Sequence, residues 1–277
     1  MTRSFSPRKS LLLVVTDLDG TLLDYKTYSL KPALPALNIL RKRNIPLIIC
    51  SSKTRAEIEK IRKQLQNTHP FISENGGGIF IPKGYFSQPF SFTKEDSKYL
   101  IIELGTPYKK IREAFARIKA LFSGEIKGFG DLSAAEVADL CGLSLEEAQL
   151  AKKREYDEPF LLDDESALDR IHEIASKSNL RITKGSRFYH LTGKNDKGRS
   201  MARLKRIYTI QGGPIKTIGL GDSQNDLPLL RTVDYPILVQ KLDGSYNSSI
   251  QVDNLILASG RGPEGWNDAL LKILLKS

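Results

Sequence analysis

Residues 11–16, Leu-Leu-Leu-Val-Val-Thr, form an unbroken apolar run that ends abruptly on Asp17-Leu18-Asp19-Gly20-Thr21. A strand with one wet face alternates apolar and polar residues, so a run without alternation fits a strand covered on both faces, as in a parallel sheet. The theme then repeats. Apolar residues at 34, 37, 39 and 40 predict a helix over 34–43, Pro46 opens a second apolar strand over 47–50, an amphipathic helix covers 55–66, and a short strand covers 71–73. This βαβαβ order predicts an α/β, doubly wound, Rossmann-like core whose parallel sheet has right-handed crossovers.

Past Glu74-Asn75-Gly76-Gly77-Gly78 the rhythm changes. A hairpin-like stretch over 79–92 leads into a mixed segment, with helices predicted at 107–122, 133–140, 144–153 and 165–178 and strands at 99–104, 158–162 and 188–191. From Lys197 the α/β rhythm resumes, with a helix to about residue 210, a strand over 217–220 and a helix from 226. The expected organisation is a core of residues 1–88 and 194–277 interrupted by an inserted α+β cap of residues 89–193 that sets substrate specificity. A chain of 277 residues has room for two such units, each with its own core.

With 40% hydrophobic and 27% charged residues the composition is that of an ordinary globular protein. The basic first ten residues and the apolar run behind them suggest a signal peptide, but Asp17 and Asp19 cut that run too short for one, or for a membrane span. Cys50 and Cys141 sit in apolar contexts without metal-ligand spacing, which predicts buried thiols in a reducing compartment. The expectation is a cytoplasmic protein with no membrane partner. A net charge of +10 raises the question of nucleic acid, yet the 42 Lys and Arg are spread over helical segments such as 41–63 and 109–119. That spread fits a solvated basic surface that steers an anionic substrate, with no nucleic-acid partner.

Asp17 and Asp19 fall at the carboxyl end of a buried strand, where α/β sheets place their ligands, and residues two apart in an extended segment point to one side. Two carboxylates so placed repel unless a cation lies between them, and a hard divalent ion such as Mg²⁺ suits oxygen ligands. Alone, both aspartates could be turn formers ahead of Gly20. The recurrence of carboxylates after a later apolar strand, in Gly219-Leu220-Gly221-Asp222-Ser223-Gln224-Asn225-Asp226, favours the metal reading.

With both motifs in place the chain resembles the haloacid dehalogenase superfamily of phosphotransferases. The resemblance implies that Asp17 is the nucleophile that takes up a phosphoryl group, and that Asp19 protonates the leaving alcohol and later activates water. It implies Mg²⁺ bound by Asp17, the Asp19 backbone carbonyl and Asp222, with Asp226 in support. It also implies that the Ser51 hydroxyl binds a phosphoryl oxygen, although a Ser at a strand end is otherwise a helix cap. Lys197, in Asp196-Lys197-Gly198, matches the family lysine whose ammonium offsets the charge of a carboxylate attacking an anionic phosphoryl group. Where many relatives have Thr-Gly-Arg, this chain has Ser51-Ser52-Lys53. Asp24 and Asn75 each follow a motif on the same face and could as easily be turn residues.

The position of the insertion resembles the group with a type IIB cap, whose substrates are often sugar phosphates. Segments 50–54, 154–160, 185–191 and 262–266 resemble phosphatases of glycosyl-phosphoglycerates. That likeness implies a small phosphorylated partner carrying a glycerate carboxylate besides its phosphate. The candidate substrate-binding residues are Ser52, Asn75, Arg154, Glu158, Arg187 and His190. Arg154 and Arg187 bring a planar donor fork suited to carboxylate or phosphate, Glu158 would accept sugar hydroxyls, and His190 would donate to either group. Two other readings stand beside this one. A broader sugar-phosphate phosphatase or a phosphomutase would use the same aspartate, and a non-enzymatic nucleic-acid binder would show steep salt dependence but leave the catalytic set unexplained.

Overall fold

The structure is a computed structural model that describes residues 10–122, 126–185 and 188–275. Arg187 therefore lies outside the described residues. The first half of the core runs β1 (Leu11–Thr16), α1 (Leu34–Lys42), β2 (Leu47–Cys50), α2 (Arg55–Gln64), β3 (Phe71–Ser73) and β4 (Gly78–Pro82), followed by β5 (Lys94–Glu95) and β6 (Tyr99–Glu103). Next come α3 (Tyr108–Ala120), β7 (Ile126–Gly128), α4 (Ala134–Cys141), α5 (Leu145–Ala151), β8 (Asp157–Leu162), α6 (Leu168–Lys177), β9 (Arg181–Lys184) and β10 (Tyr189–Thr192). The chain closes with α7 (Lys197–Gly212), β11 (Ile215–Gly221), α8 (Leu227–Leu230), β12 (Tyr235–Gln240), β13 (Ile256–Arg261) and α9 (Gly262–Leu274).

Nine strands form one sheet in the order β13-β12-β11-β1-β2-β3-β4-β6-β5. The six strands from β13 to β3 are parallel, and β4, β6 and β5 extend the sheet antiparallel. From β1 the chain winds outward through β2 and β3, then returns to the other side of β1 at β11. That reversal opens a crevice at the carboxyl ends of β1 and β11, where such sheets bind ligands. The buried run of β1 is explained by helices on both faces: Val14 packs with Leu37 of α1 and Leu270 of α9, while Leu13 and Val15 pack with Met201 and Leu204 of α7. Trp266, fully buried in α9, donates its indole N–H to the Thr16 hydroxyl at 2.9 Å and fastens the C-terminal segment under the end of β1.

A second, four-stranded antiparallel sheet has the order β7-β8-β10-β9. Phe160 of β8 and Leu191 of β10 face Ile111 and Phe115 of α3 and Ile171 of α6, which form a separate apolar cluster. Period-two geometry sends the alternate residues, Asp157, Pro159 and His190, to the other face. The strand β6, expected within the insertion, pairs with β4 in the nine-stranded sheet instead, because Ile101 and Ile102 complete its apolar faces. The hairpin-like stretch expected over 79–92 is in fact β4 paired with β6, with a long loop between. Of the two thiols, Cys50 is buried at the end of β2, whereas Cys141 at the end of α4 is only partly covered.

Candidate active site

β1 delivers Asp17 directly from the sheet, since its backbone N–H still bonds Leu220 of β11 at 3.0 Å. β11 delivers Asp222, and the turn that follows delivers Asp226. Carboxylate oxygens of Asp17, Asp222 and Asp226 lie within 4.8 Å of one another, all buried. Lys197, fully buried at the start of α7, reaches Oδ1 of Asp17 and Oδ1 of Asp226, each at 2.6 Å. The Lys-Gly pair has a packing reason: a Cβ at Gly198 would lie 2.2 Å from the Pro228 carbonyl, so only glycine lets α7 start this close to α8. The second oxygen of Asp226 accepts the backbone N–H groups of Asp222 and Ser223, both at 3.1 Å, which shapes the turn that presents Asp222.

Burial is the dominant electrostatic fact here. It pushes the Asp17 carboxyl up to about 7 against the pull of Lys197, with Asp226 and Asp19 adding to the rise. Asp222 is likewise held well above the usual carboxylate range by burial and by its two acidic neighbours. Burial opposes the charge on Lys197, but Asp17 and Asp226 outweigh it and raise the ammonium's pKa. One ammonium thus faces three carboxylates, and the Thr21 hydroxyl, 3.2 Å from Asp222 Oδ1, brings no charge. The place beside Asp222 is kept clear by Gly20, where a Cβ would come 3.0 Å from Oδ2. An all-oxygen, under-neutralised trio of this kind fits a hard divalent cation.

Asp19, partly exposed, pairs with Lys53 at 3.0 Å, and Lys53 also reaches Glu57 at 3.5 Å. Burial works against the charge on Lys53, and the two carboxylates more than restore it. Lys53 was missed in the sequence, although a signal exists: Thr54 and Glu57 form a capping box that starts α2 and brings Glu57 back toward the strand end. Ser51 is fully buried after β2, and its hydroxyl accepts the Lys53 N–H at 3.2 Å. The cap of α2 is Thr54, so Ser51 is not spent on that role. Asp24 is a turn former, its Oδ1 accepting the Lys26 and Thr27 N–H groups at 3.1 and 2.8 Å.

A cavity of about 590 Å³ separates this sheet end from the four-stranded sheet. Asp17, Asp19, Ser52 and Lys53 line one side, and Arg154, Pro159, Phe188 and His190 line the other. Arg154 spends two donors on backbone: Nη1 to the Ser52 carbonyl at 2.9 Å and Nε to the Ala151 carbonyl at 2.8 Å. It therefore clasps the two sides together as well as facing the cavity. Asn75, in the left-handed region with φ 54°, bonds Asp157 Oδ2 at 3.4 Å and accepts from Asn225 at 3.1 Å. Glu158 departs from expectation. It lies on the helix-facing side of β8, where its carboxylate takes the Tyr108 hydroxyl at 2.5 Å, Arg112 at 3.0 Å and the Gly130 N–H at 2.9 Å. Its side chain is fully buried and does not line the cavity, so the expected contact with sugar hydroxyls is not made from this position.

Residues 14–243 match the family model described as haloacid dehalogenase-like hydrolase, and the chain belongs to that family. It is 48% identical over 266 residues, 96% of this chain and 98% of the other, to the glucosyl-3-phosphoglycerate/mannosyl-3-phosphoglycerate phosphatase of Methanococcoides burtonii. Among solved structures it resembles a HAD subclass IIB sugar phosphatase (TM-score 0.64, 15% identity, 94% and 97% of the two chains). It also resembles the sucrose-phosphatase of Synechocystis (TM-score 0.63, 14% identity, 96% and 98%). These two likenesses concern the fold. No helix among the described residues is long and apolar enough to cross a membrane.

Proposed function

We propose that this phosphatase removes the phosphoryl group of glucosyl- or mannosyl-3-phosphoglycerate through an aspartyl-phosphate formed on Asp17. The observation that carries the mechanism is the buried Asp17 at a strand end, held by Lys197 at 2.6 Å on the floor of a cavity roofed by a second sheet. The substrate class is supported by near full-length similarity to the Methanococcoides protein.

In this reading the Asp17 carboxylate attacks phosphorus, the bond from phosphorus to the ester oxygen breaks, and Asp19 gives that oxygen its proton. Asp19 then takes a proton from water, whose oxygen attacks the same phosphorus and frees Asp17 and inorganic phosphate. Lys197 fixes the Asp17 carboxylate and offsets the charge that gathers as two anions approach. Asp19 must leave Lys53 to meet the leaving oxygen, and Lys53, half-buried beside it, remains as a cation for the phosphate. Ser51 supplies a hydroxyl at the second strand end. Asp17, Asp222 and the backbone carbonyl of Asp19 would hold Mg²⁺, with Asp226 shaping the turn; the ion supplies Lewis-acid stabilisation of phosphoryl charge when bound. We further assign the specificity cap to the segment from α3 through β10, with β6 left in the core. Ser52, Asn75, Arg154 and His190 stay as substrate-side candidates, and Arg187 does so on sequence grounds alone.

The test is phosphate release with Mg²⁺ across glycosyl-phosphoglycerates, simple hexose phosphates and an aryl phosphate. A wide preference for the glycosyl-phosphoglycerates is expected. Equal rates on simple hexose phosphates would leave only a broad phosphatase, and a requirement for a bisphosphate activator would indicate a mutase.

A further inference from the structure

The cavity has two chemically different sides. Its core side carries Lys53 with Asp17 and Asp19; its cap side carries Phe129, Phe188, Pro159 and His190, with Arg154 and Asp139 beside them. Phe129 and Phe188 meet edge to face with centroids 5.0 Å apart. Aromatic rings offer a surface for the C–H face of a sugar, while the sugar's hydroxyls still need partners. Among the polar groups of this wall, Arg154 spends donors on the Ser52 and Ala151 carbonyls, whereas His190 keeps one ring edge toward the cavity. Its Nδ1 lies 2.7 Å from Oδ2 of Asp157, which is fully buried. A carboxylate accepts, so Nδ1 carries the proton, and in that Nδ1–H tautomer the ring presents Nε2 as a lone-pair acceptor. The Nε2 edge is left open by Gly185, where a Cβ would stand 2.9 Å from that atom.

Asp157 is also tied to the other side. The same Oδ2 takes the Asn75 amide at 3.4 Å, and Asn75 accepts from Asn225 at 3.1 Å, in the turn that carries Asp222 and Asp226. The orientation of His190 is thereby registered against the reacting end of the cavity.

We propose that this cap wall is a glycosyl subsite, in which Asp157 is a positioning residue that holds His190 so that Nε2 accepts a sugar hydroxyl over the apolar surface of Phe129 and Phe188. The inference rests on the phosphatase reading above and deepens it. The glycosyl unit is the uncharged, hydroxyl-bearing part of a glycosyl-phosphoglycerate, so it suits the aromatic stretch of this wall beside His190, with the phosphate toward Asp17.

Imidazole ¹⁵N NMR tests the geometry without catalysis, because the chain has only three histidines and His190→Gln assigns the signal. The unaltered protein at neutral pH is expected to show the Nδ1–H tautomer at His190, and its Nε2 signal should move on adding glucosylglycerate but not glycerate. An imidazolium or an Nε2–H tautomer, or an equal shift with glycerate alone, overturns the proposal. In kinetics, His190→Gln should raise KM for glucosyl-3-phosphoglycerate at least tenfold more than it raises KM for 3-phosphoglycerate, which lacks the sugar. Asp157→Ala, or Asp157→Asn if the first fails to fold, should lose the fixed tautomer and show a comparable KM effect, with no further loss in combination with His190→Gln. Equal losses on both substrates overturn the subsite. Absence of phosphate release from either substrate by the unaltered protein sinks the phosphatase reading instead, and the tautomer and the glucosylglycerate shift are read independently of it.

Discussion

The two sides of the cavity are held in place by opposite means. On the core side, three buried carboxylates and one ammonium lie within a few ångströms, and what fixes them is charge confined to a dry place. On the cap side, side chains are fixed by strand parity and by hydrogen bonds: Asp157 holds His190, and Arg154 is spent on carbonyls. The first arrangement sets one ammonium against three carboxylates and leaves room for a further cation. The second is a mould, held by hydrogen bonds made before any substrate arrives, with the Nε2 edge of His190 left to accept. Substitutions on the core side should therefore cost turnover, and those on the cap side should cost recognition or stability.

The largest break in that comparison is Asp17→Asn, which removes the proposed nucleophile but keeps its shape. Loss of a covalent nucleophile costs on the order of 10⁶ in turnover in a well-studied protease. A fall of comparable size is expected here, with circular dichroism and melting temperature near those of the unaltered protein. Next is Lys197→Met, which leaves Asp17, Asp222 and Asp226 facing one another without their cation. Removing one partner of a buried ion pair costs about 3–5 kcal/mol. The melting temperature should fall accordingly and recover in part with Mg²⁺, while turnover drops by more than a hundredfold. If Mg²⁺ gave the same stabilisation to the unaltered protein and to Lys197→Met, the carboxylate trio would not be where the ion binds.

On the cap side, Glu158→Ala sharpens the contrast. It removes the acceptor for Tyr108, Arg112 and the Gly130 N–H on the face turned away from the cavity. A loss of about 3 kcal/mol is expected from the unpaired groups it leaves, read by denaturant unfolding. The ratio of rates on glycosylated and unglycosylated substrates should stay unchanged; a shifted ratio would place Glu158 in recognition after all.

Glu158 also marks where the sequence stopped being legible. The parallel half of the core could be read because its signals are local: unbroken apolar runs, each ending on a polar residue at the mouth of the crevice. Asp17, Asp222 and Asp226 come together as those runs imply, and Lys197, singled out by the family resemblance alone, joins them. The cap's helices were legible too, from capping boxes at Ser133 and Ser144. Its cavity-facing side was legible only in part: Arg154 and His190 do line the cavity, but in a strand one residue's shift reverses the side. Asp157 and Glu158 are neighbours in the chain with equal claims, and only the packing of α3 against β8 turns Glu158 inward and Asp157 toward the cavity. Lys53 escaped for a related reason: its partner Asp19 is 34 residues away in the chain, and only the β1–β2 pairing brings the two strand ends together. The membership of β6 in the large sheet was hidden because the long loop after β4 disguises an antiparallel pair.

The smallest effect expected concerns the joint between the two sides. Glu74, fully buried and in the left-handed region at φ 47°, accepts the Glu155 N–H at 3.0 Å and the Tyr156 N–H at 2.8 Å, so a core loop grips the backbone leading into β8. Burial pushes its carboxyl from 4.5 up to about 8, with Arg154 pulling the other way and Asp157 adding to the rise. Between those two values the folded state keeps a proton on Glu74 that the unfolded chain has released, so this group makes stability decline as pH rises through that window and level off above it. Glu74→Gln cannot titrate. It should lower stability at every pH, since an amide presents only one acceptor to two backbone donors, yet flatten the decline between mildly acid and mildly alkaline conditions. Melting curves of both proteins across that range, without Mg²⁺, make the comparison. If the slopes are the same, the joint is not held by a protonated Glu74, and the pH dependence belongs to the carboxylate trio on the core side.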